Sequence, residues 1–204
     1  MKILFVLLFG LASISYAQKS RTLYFDANGK VTAQAAAQFY SIITPQKKDT
    51  TRYTVESFRK NGILMKTGVY QAQRFPVRWE LCHEFSFTDA LPDGLHQEFY
   101  QNGKLQFEGS FTSGLGQGKH RRFYDSGQLL SETTLTNGRE EGKSTTYFAN
   151  GKRQTEYMTQ NGSLDGDYIE FNADGKKKHR TTFRSGEQKE FFRYDGEEKE
   201  LPKQ

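Results

Sequence analysis

Apolar and polar residues alternate along short segments of this chain, which favours β-strands. The clearest segment is residues 104–111, written KLQFEGSF. Its apolar side chains fall on one face of an extended strand and its polar side chains on the other, because successive side chains of a strand point to opposite sides. Segments between glycines are too short for a typical helix, and the apolar spacing is two rather than 3.6. The pattern predicts a mainly β protein with one moderately apolar and one polar face.

The strand pattern repeats with a fixed period over residues 95–190. Cut at Leu95, Lys119, Lys143 and Asp167, the chain gives four units of 24 residues that align without a gap. The fifth position is aromatic, and glycine fills both the ninth position (Gly103, Gly127, Gly151 and Gly175) and the twentieth (Gly114, Gly138, Gly162 and Gly186). Glycine after Asn, Ser or Asp is typical of hairpin turns that need a positive φ. We therefore predict an elongated antiparallel β-hairpin repeat, folded as a meander sheet.

Less regular segments flank the four units. Residues 18–94 contain a degenerate repeat from Phe58, FRKNGILMKTGVY, and an inserted strand or hairpin from Val77 to Phe87. Residues 191–204 form a degenerate terminal repeat and tail, since end units of a repeat array are often atypical. The alanine-rich stretch from Val31 predicts one short N-terminal helix, with Thr32 as its N-cap and an end before Pro45.

The first residues have the pattern of a signal peptide. Lys2 precedes an apolar stretch too short to span a bilayer, and small residues suit cleavage after Ala17. We assign residues 1–17 to the signal peptide and expect a periplasmic or secreted protein with no transmembrane segment after cleavage. The only cysteine, Cys82, cannot form an intramolecular disulfide, and we interpret it as a small buried apolar residue rather than a reactive thiol.

The formal net charge of +5 is spread along the chain rather than concentrated on one segment. A nucleic-acid-binding protein would gather its cations on one surface, so we expect no nucleic-acid partner. The one basic cluster is KKKHR at residues 176–180. We interpret it as a solvated face, with contact to phosphate or anionic lipid through Lys176, Lys177, Lys178 and Arg180 as the second option.

Aromatic residues at the sixth position of three units, Tyr100, Tyr124 and Phe148, suggest a ladder of rings. Such a ladder stabilises a sheet directly, and it could also present a platform to a glycan or a peptide. His96 and His120 occupy equivalent positions about 9.5 Å apart, which is too far for one metal ion. We find no nucleophile, zinc-protease or phosphate-binding motif, and therefore expect no metal, no cofactor and no enzymatic activity.

The repeated pattern aromatic-aromatic-x-Asn-Gly-Lys, as in FYQNGK from Phe99, resembles the MORN-repeat variant. The same repeats occur in YwqK-type antitoxins, and the N-terminal region resembles exported bacterial proteins that carry them. The resemblance implies a MORN-like hairpin sheet that serves as a protein–protein interaction or scaffolding module. Binding of a cell-envelope glycan or an anionic lipid, and an antitoxin or immunity role, are the alternatives, since one repeat fold serves many roles.

Overall fold

The described residues form one antiparallel sheet. The structure, a computed structural model, describes residues 20–29, 32–47, 52–71 and 92–194. Within these ranges the strands are β1 Arg21–Phe25, β2 Phe39–Pro45, β3 Arg52–Arg59, β4 Leu64–Gln71, β5 Pro92–Phe99, β6 Leu105–Thr112, β7 Leu115–Phe123, β8 Leu129–Thr136, β9 Arg139–Glu140, β10 Gly142–Tyr147, β11 Arg153–Gln160, β12 Ser163–Phe171, β13 Lys177–Arg184 and β14 Glu187–Arg193. They lie side by side in chain order, with the two-residue β9 beside β8. The predicted meander of hairpins is confirmed.

The glycine at the ninth position of each unit closes the first hairpin turn. Its φ is +79° at Gly103, and the three equivalent glycines lie between +81° and +92°. The N–H of Gly103 donates to the carbonyl of Tyr100 at 3.0 Å, and the N–H of Tyr100 donates to the carbonyl of Lys104 at 2.8 Å. A residue with a side chain would be strained at this φ, which explains the fixed glycine.

The glycine at the twentieth position belongs to a second, tighter hairpin turn. Both central residues of this turn have positive φ, as in Asn137 at +51° and Gly138 at +77°. Two positive φ values define a type I′ turn, whose twist matches that of the flanking strands. The N–H of Gly138 also donates to the carbonyl of Gly116 at 2.9 Å, so each turn is bonded to the preceding unit.

A third glycine interrupts the strand that follows the type I′ turn. Gly118 has φ +70°, and the register between β6 and β7 shifts near it. The same shift recurs between β11 and β12 near Gly166, whose φ is +117°. A bulge of this kind bends the strand and increases its twist.

The predicted N-terminal helix is wrong. Within the described part of this stretch, from Thr32 to Pro45, only Gln34–Ala36 are helical, as a single 3₁₀ turn. Ala33 precedes the turn without a side-chain cap, so Thr32 is not the N-cap. The second half of the stretch is the strand β2, paired with β1 on one side and β3 on the other. Three alanine-rich residues are too few to nucleate a helix, and the β-branched and aromatic residues after them pair within the sheet instead.

The sheet has two faces of different chemistry. The first, here called the histidine face, carries Val55, Gly68, Tyr70, His96, Phe107, Gly109, Phe111, His120, Thr133, Ser144, Tyr157, Tyr168, Thr181 and Phe191. The second, here called the charged face, carries Gln97, Glu108, Lys119, Arg121, Glu132, Lys143, Thr145, Glu156, Ile169 and Arg180. Apolar burial concentrates on the histidine face, at residues such as Val55, Tyr70 and Phe107.

Three sequence-based expectations fall outside the described residues. They are the signal peptide at residues 1–17, the strand or hairpin from Val77 to Phe87 with Cys82, and the tail beyond residue 194. They stay predictions.

Candidate interaction surfaces

The sixth-position aromatic residues connect successive hairpins. The hydroxyl of Tyr100 donates to the backbone carbonyl of Phe123 at 2.6 Å, and the hydroxyl of Tyr124 donates to that of Tyr147 at 2.7 Å. Both rings are half-buried. Phe148 holds the same position in the third unit and has no hydroxyl to donate. These three residues therefore lie at the same end of the strands, beside the first hairpin turn of each unit. Two of them act as tethers, that is, as hydrogen bonds from one hairpin to the next.

The Asn-Gly-Lys sequence supplies two more tethers between neighbouring hairpin turns. The side-chain amide of Asn102 donates to the carbonyl of Asp125 at 2.8 Å, and the ammonium of Lys104 donates to the carbonyl of Ser126 at 2.7 Å. Asn150 and Lys152 make the equivalent contacts two junctions later, at 2.8 and 2.6 Å. The second unit has Ser126 and Gln128 in place of the Asn and Lys. The motif is thus explained by hydrogen bonds from one turn to the next.

The basic cluster is divided among different contacts. The ammonium of Lys177 lies 5.5 Å from the ring centre of Tyr194, and the guanidinium of Arg180 lies 4.3 Å from that of Phe192. Lys178 lies 3.8 Å from the carboxylate of Glu170. Lys176 is exposed in the turn, where its N–H donates to Asp174. The cluster is therefore partly neutralised by its own sheet, although Lys176 and Lys178 remain at the surface.

On the histidine face, His96 and His120 each lie over a glycine of the preceding hairpin. The ring of His120 packs over Gly109, where an added Cβ would come within 2.6 Å of the ring Nδ1. His96 packs over Gly68 in the same way. Phe111 contacts both histidine rings edge-on, at centroid distances of 6.0 Å to His96 and 4.9 Å to His120. Glycine at these positions makes room for a ring.

Burial keeps both imidazoles neutral. Desolvation, aided by the nearby ammonium of Lys66, lowers the pKa of His96 from 6.5 to about 3. Desolvation also lowers the pKa of His120, against the opposing effect of its hydrogen bond to the carbonyl of Ser110 at 2.9 Å. These histidines act as buried packing groups. Among the described residues there is no group of three or more His, Cys, Asp or Glu side chains that could hold a metal.

The charged face carries a row of ion pairs across neighbouring strands. Arg121 bridges Glu108 at 3.2 Å and Glu132 at 2.7 Å. Glu156 contacts Lys143 and Arg153, both at 2.8 Å. The carboxylates belong to the fourteenth position of three successive units, a regularity that was visible in the sequence but was not used. Hydrogen bonds from Lys119 and Arg121 lower the pKa of Glu132. Burial raises the pKa of Glu156, but hydrogen bonds from Lys143 and Arg153 outweigh it and the net shift is downward, so both carboxylates are ionised.

A groove lies between the turn of the β3–β4 hairpin and the turn of the β5–β6 hairpin. It has a volume of about 250 Å³ and is lined by Arg59, Met65, Glu98, Phe99, Tyr100, Gln101 and Gln106. Arg59 holds the sixth position of its hairpin, since its N–H donates to the carbonyl of Ile63 as that of Tyr100 does to Lys104. An arginine thus replaces the tethering tyrosine. This exchange was readable in FRKNG against FYQNG, yet its meaning depends on the neighbouring hairpin.

Three of the hairpins match a known repeat family. No curated protein matches the chain. No helix within the described part of the chain is long and apolar enough to cross a membrane. Three segments, residues 92–112, 117–137 and 140–161, match the family model described as MORN repeat variant. The fourth unit has the same turns, with φ +90° at Gly175 and +83° at Gly186. The hairpins of the central sheet are therefore a series of at least three consecutive MORN-variant repeats.

Proposed function

We propose that this protein is an exported scaffold that binds another protein through the charged face of its repeat sheet. MORN repeats are commonly protein or lipid interaction modules, and three of them are present. The observation that carries the proposal is the row of alternating carboxylates and cations on adjacent strands. It favours binding, because residues of both charges line an open concavity of about 490 Å³ on this face, among them Glu132, Lys143 and Glu156.

The ion pairs of the row are weak enough for the charges of a bound protein to replace them. Lys119 and Lys143, which contact Glu132 and Glu156, keep 59% and 54% of their side-chain surface exposed. Such exposed ion pairs contribute at most about 1 kcal/mol each, so a partner's charges can replace them at low cost. A fixed alternation of charge also selects among partners, because a wrong register places like charges together.

Charge reversal tests this role. The mature chain would be used as bait in crosslinking from the periplasm or cell surface, beside a Glu132→Lys/Glu156→Lys variant. Glu187→Lys is the matched control, because Glu187 is exposed on β14, away from the row. We expect a specific partner with the wild type and the control, and its loss with the double variant. Repeated failure to capture any specific partner, or capture that ignores the double variant, would contradict the proposal.

Anionic-lipid binding is the second candidate, because MORN repeats also serve as lipid modules and Lys176 and Lys178 are exposed. Vesicles containing an anionic phospholipid would be compared with vesicles of a neutral one. Sedimentation with anionic vesicles that disappears on Lys176→Gln/Lys178→Gln would support this role. Binding that is indifferent to those substitutions would assign it to another surface.

A further inference from the structure

Thr145 interrupts the row of alternating charges on the charged face. On β6, β7 and β8, the residues Glu108, Arg121 and Glu132 lie side by side. The guanidinium of Arg121 contacts the first carboxylate at 3.2 Å and the second at 2.7 Å. The same register continues with Thr145 on β10 and Glu156 on β11. Thr145 therefore stands between two glutamates, at the place where the preceding unit has an arginine.

The open concavity of the charged face lies at this interruption. Its volume is about 490 Å³, and the buried Thr145 lines it together with Glu132 and Glu156. These two glutamates are on strands two apart, so their backbones are separated by about 9.5 Å. Arg121 bridges the same separation between Glu108 and Glu132. The space above Thr145 thus has the width for one guanidinium group between two carboxylates.

The charges around the concavity favour a cation as its occupant. Three basic residues line it, and each is already paired with a glutamate of the row at 2.8 Å: Lys119, Lys143 and Arg153. Glu141 also lines it and has no ion pair within the described ranges, where its Oε2 accepts the backbone N–H of Asn161.

The preceding unit shows how the concavity arose. It has Gln117, Arg121 and Leu129 at the positions of Glu141, Thr145 and Arg153. The exchange leaves the concavity with one positive charge fewer than its counterpart, and it replaces the longest side chain of the row with one of the shortest. The sheet thus provides the two carboxylates without the cation that bridges them.

The glutamates of the concavity can accept a further donor. An ionised carboxylate offers about four lone-pair sites, and Glu132 and Glu156 each hold two cations. Two of these cations, Lys119 and Lys143, are largely exposed, and such pairs contribute little to stability. A guanidinium that approaches from solution therefore joins the two carboxylates or displaces the lysines from them.

We propose that the concavity receives an arginine side chain of the protein that binds the charged face, an inference that rests on the proposed function and specifies its contact. The guanidinium lies over Thr145 between Glu132 and Glu156, as that of Arg121 lies between Glu108 and Glu132. Arginine is favoured over lysine, because its planar fork of donors bridges two carboxylates whereas an ammonium is a compact point charge.

Titration of the intact chain with Nα-acetyl-L-arginine amide tests the contact without the partner. The methyl NMR signal of Thr134, which lines the concavity, is the reporter. We expect a saturable shift at low ionic strength. The corresponding citrulline amide has nearly the same shape without the charge and should bind at least tenfold more weakly. The lysine amide should bind at least threefold more weakly than the arginine amide.

Two variants and a matched control locate the binding. Thr145→Arg supplies the bridging arginine from within the chain and should abolish the saturable shift. It should fold, because Arg121 occupies the equivalent position, and circular dichroism checks this. Glu156→Gln should weaken binding at least threefold. Glu108→Gln makes the same charge change on the same face, beside the arginine already present, and should bind as the wild type does.

Several outcomes would overturn the inference. They are the absence of a saturable shift with the arginine amide, equal binding of the citrulline amide, and unchanged binding in Thr145→Arg or in Glu156→Gln. Crosslinking separates this failure from that of the proposed function. A partner captured equally by the wild type and by Thr145→Arg would show that the face binds a protein but that no arginine enters the concavity. Arginine-amide binding without any captured partner would confirm arginine recognition while contradicting the scaffold role.

Discussion

Two neighbouring junctions of the sheet solve the same packing problem with different chemistry. Between the β5–β6 and β7–β8 hairpins, the His120 ring fills the space above Gly109. Between the β7–β8 and β10–β11 hairpins, the equivalent residues are Thr133 and Ser144, whose hydroxyls are 2.6 Å apart. In the first case the large His120 ring packs on a glycine, which has no side chain. In the second case two small hydroxyl side chains contact each other. The pair, rather than either residue, is the unit that the repeat must preserve.

The same two junctions also differ in the hydrogen bonds between their hairpin turns. The first has three tethers, from Tyr100, Asn102 and Lys104. In the second, Tyr124 is the one tether found within the described residues. Ser126 and Gln128 replace the Asn and Lys there, and their side chains bond to each other rather than to the next hairpin. The backbone turns are alike at both junctions, with φ +79° at Gly103 and +92° at Gly127. Turn glycines therefore specify the hairpins, and the side chains set how firmly one hairpin holds the next.

The largest expected effect comes from mixing the two packing solutions. Gly109→Thr places a side chain against the buried ring of His120, and overpacking of this kind costs about 3 kcal/mol. The double variant Gly109→Thr/His120→Ser recreates the Thr133–Ser144 pair and should recover most of that loss. Urea denaturation of the wild type, both single variants and the double variant measures the coupling. A single variant as stable as the wild type would mean that the two residues are not a packing unit.

The second prediction concerns acid stability. His96 and His120 have lowered pKa values, so below about pH 6.5 the unfolded chain binds protons that the folded chain does not. Stability should therefore fall as the pH decreases, by about 1.4 kcal/mol per pH unit for each histidine until its own lowered pKa is reached, which is about 3 for His96. The raised pKa of Glu98 acts in the opposite direction and favours the folded state at low pH.

The Gly109→Thr/His120→Ser variant isolates one histidine in that experiment. Its stability should decrease less steeply between pH 6.5 and 4 than that of the wild type, because Ser does not titrate there. Urea unfolding at half-unit pH intervals measures both slopes. Identical slopes would show that His120 takes up its proton equally in the folded and unfolded chains.

How much of this could be read from the sequence depends on the range of the interaction. The turn glycines were predictable, because a positive φ is a local requirement that Gly103 and Gly138 meet by themselves. The helix after Val31 was a wrong prediction from the same local reasoning, since β2 is stabilised by strands on both sides. Pairs between hairpins, such as His120 with Gly109, depend on a register that includes a bulge, and no local pattern specifies it.

The candidate site follows the same division. The sequence suggested the rings of Tyr100, Tyr124 and Phe148 as a ligand platform. In the structure the two tyrosine hydroxyls donate to backbone carbonyls of the next hairpin. Arg59 and Glu98 line one groove only because the sheet places their hairpins side by side, which no local sequence pattern specifies. The exchange of Tyr for Arg at the sixth position was the available signal.

A smaller effect is expected from removing one tether. Tyr100→Phe deletes the hydrogen bond to the carbonyl of Phe123 and should cost about 1 kcal/mol. Phe148→Tyr is the reciprocal change, because it offers a hydroxyl at the junction that lacks one, and it should stabilise by a comparable or smaller amount. Urea denaturation of both variants gives the values. If both changes leave stability unaltered, the tyrosine hydroxyls do not hold the hairpins together.

The smallest effect is expected from completing the poorer junction. Ser126→Asn/Gln128→Lys gives the second unit the Asn-Gly-Lys tethers that the first and third units possess at 2.6 to 2.8 Å. These side chains are exposed, so the gain should be about 0.5 kcal/mol, since ordering them offsets part of each hydrogen bond. The reverse graft, Asn102→Ser/Lys104→Gln, is the matched control and should lose a similar amount. Opposite and nearly equal changes in urea midpoint would show that the two junctions differ in stability because of these tethers. A gain without the corresponding loss would instead place the effect in the turn itself, where Asn102 also accepts the N–H of Lys104 at 3.0 Å.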